Sequence, residues 1–363
     1  MRASLYGPWY CIAQRPHHLA GVMLRADWSV DVFTQRGIRD AAPILSSRPN
    51  VHHRTALPSR LAANPLTARL AGWRQRANER AMFSAFTRAQ ADVFVHYRRP
   101  SPWCGRIGTL AGPLVYDCVD DWEGFGSGDA EEVRAWERTL CERAQRIWVV
   151  SRRLQEKLSE WQDKVTYVPN GVDYPHFAHA RDARAERIAT LRGKHQPRRL
   201  IYVGALQHWF DARLVAEAAA RLEGWELQLV GPCQLDEGQR ALLARKNIRL
   251  LGRRDYQELP LLLAAADVAM IPFVLNDLIR GTSPIKLYEY LAAGLPVVAS
   301  SMPEVLPHVA PGVVGCADDP AEFARLVEEC DAAANPDTCQ AIARECSWDA
   351  RFLPALDEIR GAV

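Results

Sequence analysis

The feature that most constrains the fold is a regular alternation in the C-terminal half of the chain. Short apolar runs, each typical of a buried strand, are separated for the most part by helical stretches. These runs are residues 199–203, 226–230, 248–251, 268–271 and 296–300. Such alternation predicts a doubly wound parallel sheet with right-handed crossovers, which binds ligands beyond the carboxyl ends of its strands.

The N-terminal half is less regular but also carries apolar runs that indicate strands. They are residues 92–96, 113–117, 146–150 and 165–168, and a helix capped by Ser151 follows the third run as far as about residue 161. The 363 residues suffice for two domains of about 170 residues each. We place the domains at 1–172 and 173–363, and expect a C-terminal helix near 348–363 to pack back on the first.

A helix followed by a strand is indicated with particular clarity between residues 283 and 300. Ser283 is suited to the N-cap, and Pro284 to the first helical position, where its missing N–H costs nothing. Gly294 is suited to the left-handed position after the helix, and Pro296 prevents its continuation. The prediction is a helix of about ten residues leading into a buried strand.

Lys286 is unusual because a cation in the first helical turn faces the positive end of the helix dipole. A bound anion would remove this conflict, since free backbone N–H groups and the ammonium would converge on it. Glu289 shares a helix face with Lys286 and could accept hydrogen bonds from the hydroxyls of a ribose. The alternative interpretation is a surface Lys–Glu pair on an ordinary helix.

Four blocks of sequence resemble GT-B glycosyltransferases, in particular family 4-like enzymes that assemble bacterial exopolysaccharide or teichuronic-acid-type polymers. The blocks are residues 14–20, 116–122, 168–173 and 283–299, in the expected order. The resemblance implies an α/β protein with two Rossmann-like domains, a cleft between them, and a nucleotide-sugar donor bound by the C-terminal domain. It also implies that no metal and no cofactor are needed, because the nucleotide sugar is a substrate.

Two positions depart from the family 4 pattern. That pattern has two glutamates eight positions apart; Glu289 matches the second, but Gly281 stands where the first is expected. The loop at 204–211 also lacks the usual Arg/Lys pair. Because of these departures, we expect Lys286 to contribute more of the binding to the diphosphate. They also leave open whether transfer retains or inverts the configuration of the sugar.

The resemblance, together with position along the chain, assigns candidate donor-binding residues. They are Lys286, Glu289, Ser283, Thr282, Arg280, Gly204, Arg253, Arg15 and Trp209. Arg15 and His17 are expected in the first loop of the N-terminal domain, and a solvated loop arginine is the alternative for Arg15. His96 ends a strand, where a packed histidine is favoured over a catalytic one.

Three aspartates, Asp117, Asp120 and Asp121, follow one apolar run. If all were buried and charged they would repel one another, so one is expected to have a raised pKa suited to proton transfer. Transfer with inversion needs a base to deprotonate the acceptor, and Asp121 followed by Asp120 are the catalytic candidates. The alternative interpretation is an acidic turn held by Asx-type hydrogen bonds.

Composition excludes several classes of function. The net charge of +2 gives no general attraction for nucleic acid. The nine cysteines show neither CxxC nor histidine-spaced pairs, which indicates reduced thiols in a cytoplasmic protein rather than disulfides or a zinc site. No apolar run is long enough to cross a bilayer, and the N-terminal residues do not resemble a signal peptide.

Residues 60–88 combine arginines with large apolar side chains and indicate a basic amphipathic helix. Such a helix could lie on an anionic membrane at the inner face of the cell and present the site to a lipid-linked acceptor. The alternative is a helix that lines the cleft and turns a solvated basic face outward.

The resemblance therefore implies a glycosyltransferase that moves a sugar from a nucleotide-diphosphate sugar, with a UDP-sugar as the expected donor, to a saccharide or polyprenol-linked acceptor. The product would belong to a cell-surface polysaccharide. Two rival hypotheses remain: a nucleotide-sugar 2-epimerase of the same architecture, and a non-catalytic subunit that only binds the nucleotide sugar. Turnover without acceptor would identify the first, and UDP binding without turnover would identify the second.

Overall fold

The computed structural model describes residues 1–7, 14–34, 49–53, 65–108, 110–125, 130–183, 186 and 197–361. The chain divides into two compact units. Unit 1 comprises Met1–Pro169 with Phe352–Val363, and unit 2 comprises Asn170–Arg351. None of the helices in the described ranges is both long and apolar enough to span a membrane.

Unit 1 is built on a parallel sheet of seven strands in the order β3-β2-β1-β4-β5-β6-β7. The strands are β1 Arg2–Tyr6, β2 Ser29–Thr34, β3 Asn50–His53, β4 Val93–His96, β5 Leu114–Cys118, β6 Arg146–Val149 and β7 Val165–Tyr167. The helices are Arg15–Arg25, Pro65–Thr87, Ala130–Arg143 and Arg152–Lys157, with 3₁₀ turns at Pro102–Arg106, Trp122–Phe125 and Ser159–Lys164. The helix Trp348–Arg360 contributes its later residues, and its Phe352 ring lies 6.0 Å from that of Trp148.

Unit 2 has a parallel sheet of six strands in the order β10-β9-β8-β11-β12-β13. The strands are β8 Arg198–Val203, β9 Trp225–Val230, β10 Ile248–Gly252, β11 Val268–Ile271, β12 Val297–Ala299 and β13 Val314–Cys316. The helices are Tyr174–Ala178, Ala212–Ala219, Glu237–Leu242, Leu259–Ala264, Asp277–Arg280, Ile285–Ala292, Pro320–Ala332 and Pro336–Glu345. Short 3₁₀ turns occupy Tyr256–Glu258 and Leu306–His308.

The predicted pair of doubly wound parallel sheets is confirmed. In each sheet the strand order reverses between the first strand of the unit and its fourth, β1 and β4 in unit 1 and β8 and β11 in unit 2. A crevice opens at such a reversal, outside the carboxyl ends of the two strands, because the connections leave toward opposite faces of the sheet. The carboxyl ends of β8 and β11 are therefore the first place to look for a site in unit 2.

Every strand predicted from an apolar run is present, with ends that agree or differ by one residue. The strands missed were β1, β2, β3 and β13. β2 contains Asp31, which is buried but paired with Arg2 and His52, at 2.7 Å and 3.0 Å. A buried aspartate with partners on two neighbouring strands interrupts the apolar run from which a strand is predicted. β3 is mostly polar, and β13 has only three residues.

Two helix boundaries differ from expectation. The helix after β6 is capped by Ser151 as predicted, but it ends at Lys157 and continues as a 3₁₀ turn that contains non-helical backbone at Trp161. Arg15 and His17 were expected in a loop and instead lie in the first turn of the helix Arg15–Arg25. Gln14 and His17 form a reciprocal cap there, and a proline follows at the start, so this helix begins earlier than its polar residues suggest.

Candidate active site

Lys286 lies where the strand order of unit 2 reverses. It is the second residue of the helix Ile285–Ala292, and its Nζ atom is 5.7 Å from the ring centre of Tyr202 on β8 and 5.5 Å from that of Phe273 just after β11. Both rings present electron-rich faces to the ammonium. The ammonium group of Lys286 therefore lies near the carboxyl ends of β8 and β11, the two strands at the reversal.

Gly204 leaves room for this lysine. A Cβ atom at Gly204 would stand 2.3 Å from Cε and 2.8 Å from Nζ of Lys286, and the backbone there has φ of +155°. Gly231, which follows the neighbouring strand, is equally constrained, because a Cβ there would lie 2.0 Å from the carbonyl oxygen of Gly204. Gly204 therefore allows the end of the Lys286 side chain to approach the backbone, and Gly231 allows the Gly204 carbonyl to approach.

Lys286 and Glu289 share one helix face, and both are half-buried. Desolvation lowers the pKa of Lys286, an effect that Glu289 opposes. Desolvation also raises the pKa of Glu289 to about 7, with a lowering contribution from Lys286 and a raising one from Asp173. For both groups the loss of hydration has a larger effect on the pKa than the attraction between them. A ligand that interacts with both groups would replace the lost hydration.

The start of this helix differs from the prediction. The N-cap residue is Pro284, not Ser283, and no side chain caps the helix there. The hydroxyl of Ser283 instead accepts a hydrogen bond of 3.3 Å from the backbone N–H of Asn170, and the Asn170 amide donates to the Ser283 carbonyl at 2.7 Å. The N-cap prediction is wrong because Ser283 is buried against Asn170, and the first-turn N–H groups keep no side-chain acceptor at the cap.

The other predicted donor-binding residues of unit 2 differ in exposure and in their hydrogen-bond partners. The Thr282 hydroxyl donates to the Leu278 carbonyl at 2.9 Å, and Arg280 is exposed at the end of the helix Asp277–Arg280. Trp209 is half-buried next to Tyr202, whose hydroxyl donates to the Ala205 carbonyl at 2.9 Å. Arg253 is exposed in the loop after β10. Their roles in donor binding stay predictions.

In unit 1, Arg15 and Asp117 form a buried ion pair. Arg15 Nη2 is 2.8 Å from Asp117 Oδ1, and Arg15 Nε is 2.9 Å from Oδ2, so the pair is bidentate. The guanidinium also lies 4.8 Å from the ring centre of Phe352 and donates to the Pro169 carbonyl at 3.3 Å. Asp117 therefore holds Arg15 at the end of β5, and the solvated-loop alternative for Arg15 is wrong because only 3% of it is exposed.

Lys157 gathers three carboxylates close to the two catalytic candidates. Its Nζ atom lies 2.8 Å from Asp121, 2.9 Å from Glu123 and 3.0 Å from Glu137. Glu137 is itself buried and accepts a hydrogen bond from the Tyr116 hydroxyl at 2.7 Å. Desolvation alone would lower the pKa of Lys157, but the three carboxylates together raise it above its ordinary value. Lys157 thus keeps its charge and fixes Asp121 in place.

Asp120 differs from its neighbour. Within the part of the chain that the structure describes, no hydrogen bond or ion pair engages its carboxylate. Desolvation, and next the charge of Asp121, raise the pKa of Asp120 to about 7. The expectation that one member of the aspartate cluster has a raised pKa is confirmed, and the member is Asp120.

The two histidines considered from the sequence are both buried. Desolvation lowers the pKa of His96 to about 3, so its ring is neutral, and its Nε2 atom lies 4.0 Å from the Cys104 sulfur. His17 accepts a hydrogen bond from the Gln14 backbone N–H at its Nδ1 atom, 3.3 Å away. The packed interpretation of His96 agrees with this geometry.

Several residues of the site carried no sequence signal. Tyr202 and Phe273 read as ordinary strand residues, and Lys157 stands 36 positions after the aspartate it pairs with. Asn170 and Asp173 belong to one of the four sequence blocks, so that block could have indicated their contacts with the helix start. For the others, only the folded sheet brings the partners together.

Comparisons with known proteins find related sequences over both units. Residues 12–174 match the family described as Glycosyltransferase Family 4, and residues 197–330 match Glycosyl transferases group 1. A Bacillus subtilis (strain 168) protein assigned to teichuronic acid biosynthesis as a glycosyltransferase, TuaH, is 28% identical over 261 residues, or 66% of this chain. The chain spans 64% of the length of this curated relative.

Two solved structures share the fold over almost the whole chain. The Anabaena protein HepE in complex with UDP and glucose is 18% identical with a TM-score of 0.65, over 98% of this chain and 99% of that one. Sucrose-phosphate synthase from Thermosynechococcus elongatus is 17% identical with a TM-score of 0.72, over 99% and 98%. The class of protein is therefore defined: a two-sheet α/β protein of the GT-B fold. The two family matches confirm the resemblance to GT-B glycosyltransferases that the sequence shows.

The close approach of the Gly204 carbonyl to Gly231 predicts the effect of adding one methyl group. Gly231→Ala should destabilise the protein by roughly 2–5 kcal/mol, since it combines an unfavourable backbone conformation, with φ of +146°, and a Cβ atom 2.0 Å from the backbone carbonyl oxygen of Gly204. Gly224→Ala is the matched control, because Gly224 also has positive φ, +79°, but a Cβ there meets nothing within 4 Å. Urea unfolding should show a clearly smaller loss for the control; equal losses would contradict the packing argument.

Proposed function

We propose that the chain transfers a sugar from a nucleotide-diphosphate sugar, of which a UDP-sugar is our choice, to a saccharide or lipid-linked acceptor. The observation that carries the proposal is the Lys286 ammonium beside the uncapped start of the helix Ile285–Ala292, where the strand order reverses. An ammonium and free N–H groups at that place suit a diphosphate. The UDP complex of the HepE neighbour supports this choice of ligand.

In the proposed reaction the diphosphate leaves with a negative charge that grows as the bond to the sugar breaks. Lys286 and the first-turn N–H groups would interact more strongly with this growing charge than with the bound substrate, which is the condition for acceleration. Because the residues already present can meet this charge, we propose that the transfer is independent of metal and of cofactors. Glu289 would hold the ribose hydroxyls on the same helix face.

Transfer with inversion also requires a base on the acceptor side. The sequence ranked Asp121 first, but Asp121 is engaged by Lys157, whereas Asp120 has a pKa of about 7 and no partner in the described ranges. A base works best when its pKa lies near the working pH. We therefore propose Asp120 as the base and Asp121 as its charged neighbour.

The proposal places the acceptor at a membrane. The name of the Bacillus subtilis relative refers to teichuronic acid biosynthesis, which supports a role in cell-surface polysaccharide synthesis. We propose a polyprenol-linked or growing saccharide as the acceptor, and the cytoplasmic face of the membrane as the place of reaction. Turnover of a UDP-sugar without acceptor would instead indicate the epimerase, and tight UDP binding with no turnover the non-catalytic subunit.

The first test removes the ammonium. Lys286→Ala should weaken UDP binding by more than tenfold, because a charge-assisted contact to phosphate is lost at a poorly hydrated site. Isothermal titration calorimetry measures the affinity, and Lys246→Ala, which removes an exposed lysine of unit 2, is the control. An unchanged affinity of the Lys286 variant would refute the proposed diphosphate site.

The second test uses the raised pKa of Glu289. Ribose hydroxyls donate to the ionised carboxylate, so binding needs Glu289 deprotonated, and affinity should fall as pH falls through about 7. Between pH 8 and pH 6 the dissociation constant for a UDP-sugar should rise about tenfold. A UDP-sugar is the right probe because its diphosphate does not titrate in this range. Glu289→Gln should bind more weakly and show no such slope; the same slope in that variant would exclude Glu289 as its source.

The third test separates the two aspartates. Asp120→Asn should lower kcat by about 100-fold or more, the usual contribution of a general base, while UDP affinity stays within about twofold. Asp163→Asn, at an exposed position of unit 1, is the control for charge removal. If Asp121→Asn abolishes transfer while Asp120→Asn remains active, the base is Asp121.

A further inference from the structure

An exposed surface of unit 1 combines two tryptophans with three arginines. We call it the Trp–Arg surface and define it by Trp73, Arg76 and Arg80 on the helix Pro65–Thr87, and Trp103 and Arg106 on the 3₁₀ turn Pro102–Arg106. Trp73 is 66% exposed, an unusual position for the largest apolar side chain. None of these five residues belongs to the candidate active site.

The helix Pro65–Thr87 presents this surface on one side only. Trp73, Arg76 and Arg80 are spaced three and four residues apart, so they share a face about two turns long. Met82, Phe83 and Phe86, which the sequence analysis counted with the apolar residues of an amphipathic helix, are buried in the core of unit 1. Among the large apolar side chains of this helix whose burial the structure describes, Trp73 is the most exposed.

The second element extends the surface beyond the helix. Arg80 lies 5.9 Å from the ring centre of Trp103, and Arg106 lies 5.2 Å from it. Side chains three residues apart in a 3₁₀ helix eclipse one another, which places Arg106 over Trp103. The half-buried indole is thus in contact with a guanidinium from each of two elements and fixes their positions.

No carboxylate offsets these charges. In the described ranges, neither a hydrogen bond nor an ion pair joins Arg76, Arg80 or Arg106 to an acidic side chain. The one acidic residue on this stretch of helix, Glu79, is turned toward Arg98 at 3.1 Å and is largely covered. The surface therefore carries three positive charges next to two indoles.

We propose that the Trp–Arg surface docks the protein on a bilayer that contains anionic phospholipid. Guanidinium groups pair with phosphate headgroups, and indole rings are most stable at the level of those headgroups, where one edge is apolar and the other hydrated. The inference rests on the proposed function in one respect, since a lipid-linked acceptor requires the protein at a membrane. A nucleic acid fits less well, because the net charge of the whole chain is only +2.

The test uses the full chain and sedimented vesicles of phosphatidylcholine, with and without 30% phosphatidylglycerol. A basic residue near an anionic surface contributes about a fivefold gain in partitioning at ordinary salt. The triple variant Arg76→Gln, Arg80→Gln, Arg106→Gln should therefore lose about 100-fold in binding to anionic vesicles. The matched control removes three exposed cations of unit 2: Arg221→Gln, Arg245→Gln, Lys246→Gln.

If the control triple variant loses as much binding as the test variant, adsorption depends on net charge and not on this surface. If the protein binds both kinds of vesicle equally, docking does not depend on charge. Either result overturns the proposal. Trp73→Ala should lower vesicle binding severalfold without loss of thermal stability, because its side chain is mostly in solvent. UDP affinity of every variant is measured in parallel. A wild-type chain that binds UDP and transfers sugar but ignores anionic vesicles would refute this inference and leave the proposed function standing.

Discussion

The candidate site of unit 2 is centred on one charge, the Lys286 ammonium, which faces two aromatic rings and shares a helix face with Glu289. Its position costs free energy twice, since it is poorly hydrated and it stands at the positive end of a helix, which alone costs about 0.3–1 kcal/mol. Two aromatic faces and one carboxylate on the same helix compensate in part. This unfavourable charge at the sheet reversal is the physical basis of the proposed diphosphate site, because a bound anion would offset both costs.

The scaffold beneath the lysine explains why the position is stable. Tyr290 stands one helical turn after Lys286, on the same face, and its hydroxyl accepts a hydrogen bond of 2.8 Å from the backbone N–H of Val203 at the end of β8. The Gly204 N–H in turn donates to the Val230 carbonyl at 2.8 Å. Helix, strand end and glycine turn are therefore linked, which fixes the backbone that carries Lys286 against the end of β8.

The sequence could predict those features whose interacting residues lie close together in the chain. Five of the six strands of unit 2, the left-handed Gly294 with φ of +73° and the shared face of Lys286 and Glu289 all follow from spacing within a few residues. The Arg15–Asp117 pair spans 102 positions, and only the parallel sheet brings its members together. Ser283 failed as a cap because a residue 113 positions away competes for its hydroxyl. Side chains whose partners lie far apart in the chain cannot be assigned from local patterns.

The aspartate cluster shows how one short segment can give like charges different roles. Asp117 is neutralised by a bidentate arginine, and Asp121 by a lysine that it shares with two glutamates. Asp120 has neither, and desolvation raises its pKa to about 7. Since the three share a strand end, the difference comes from their surroundings and not from residue type. The charge of Asp121 adds to desolvation in disfavouring ionisation of Asp120, and this is the physical reason for proposing Asp120 as the base.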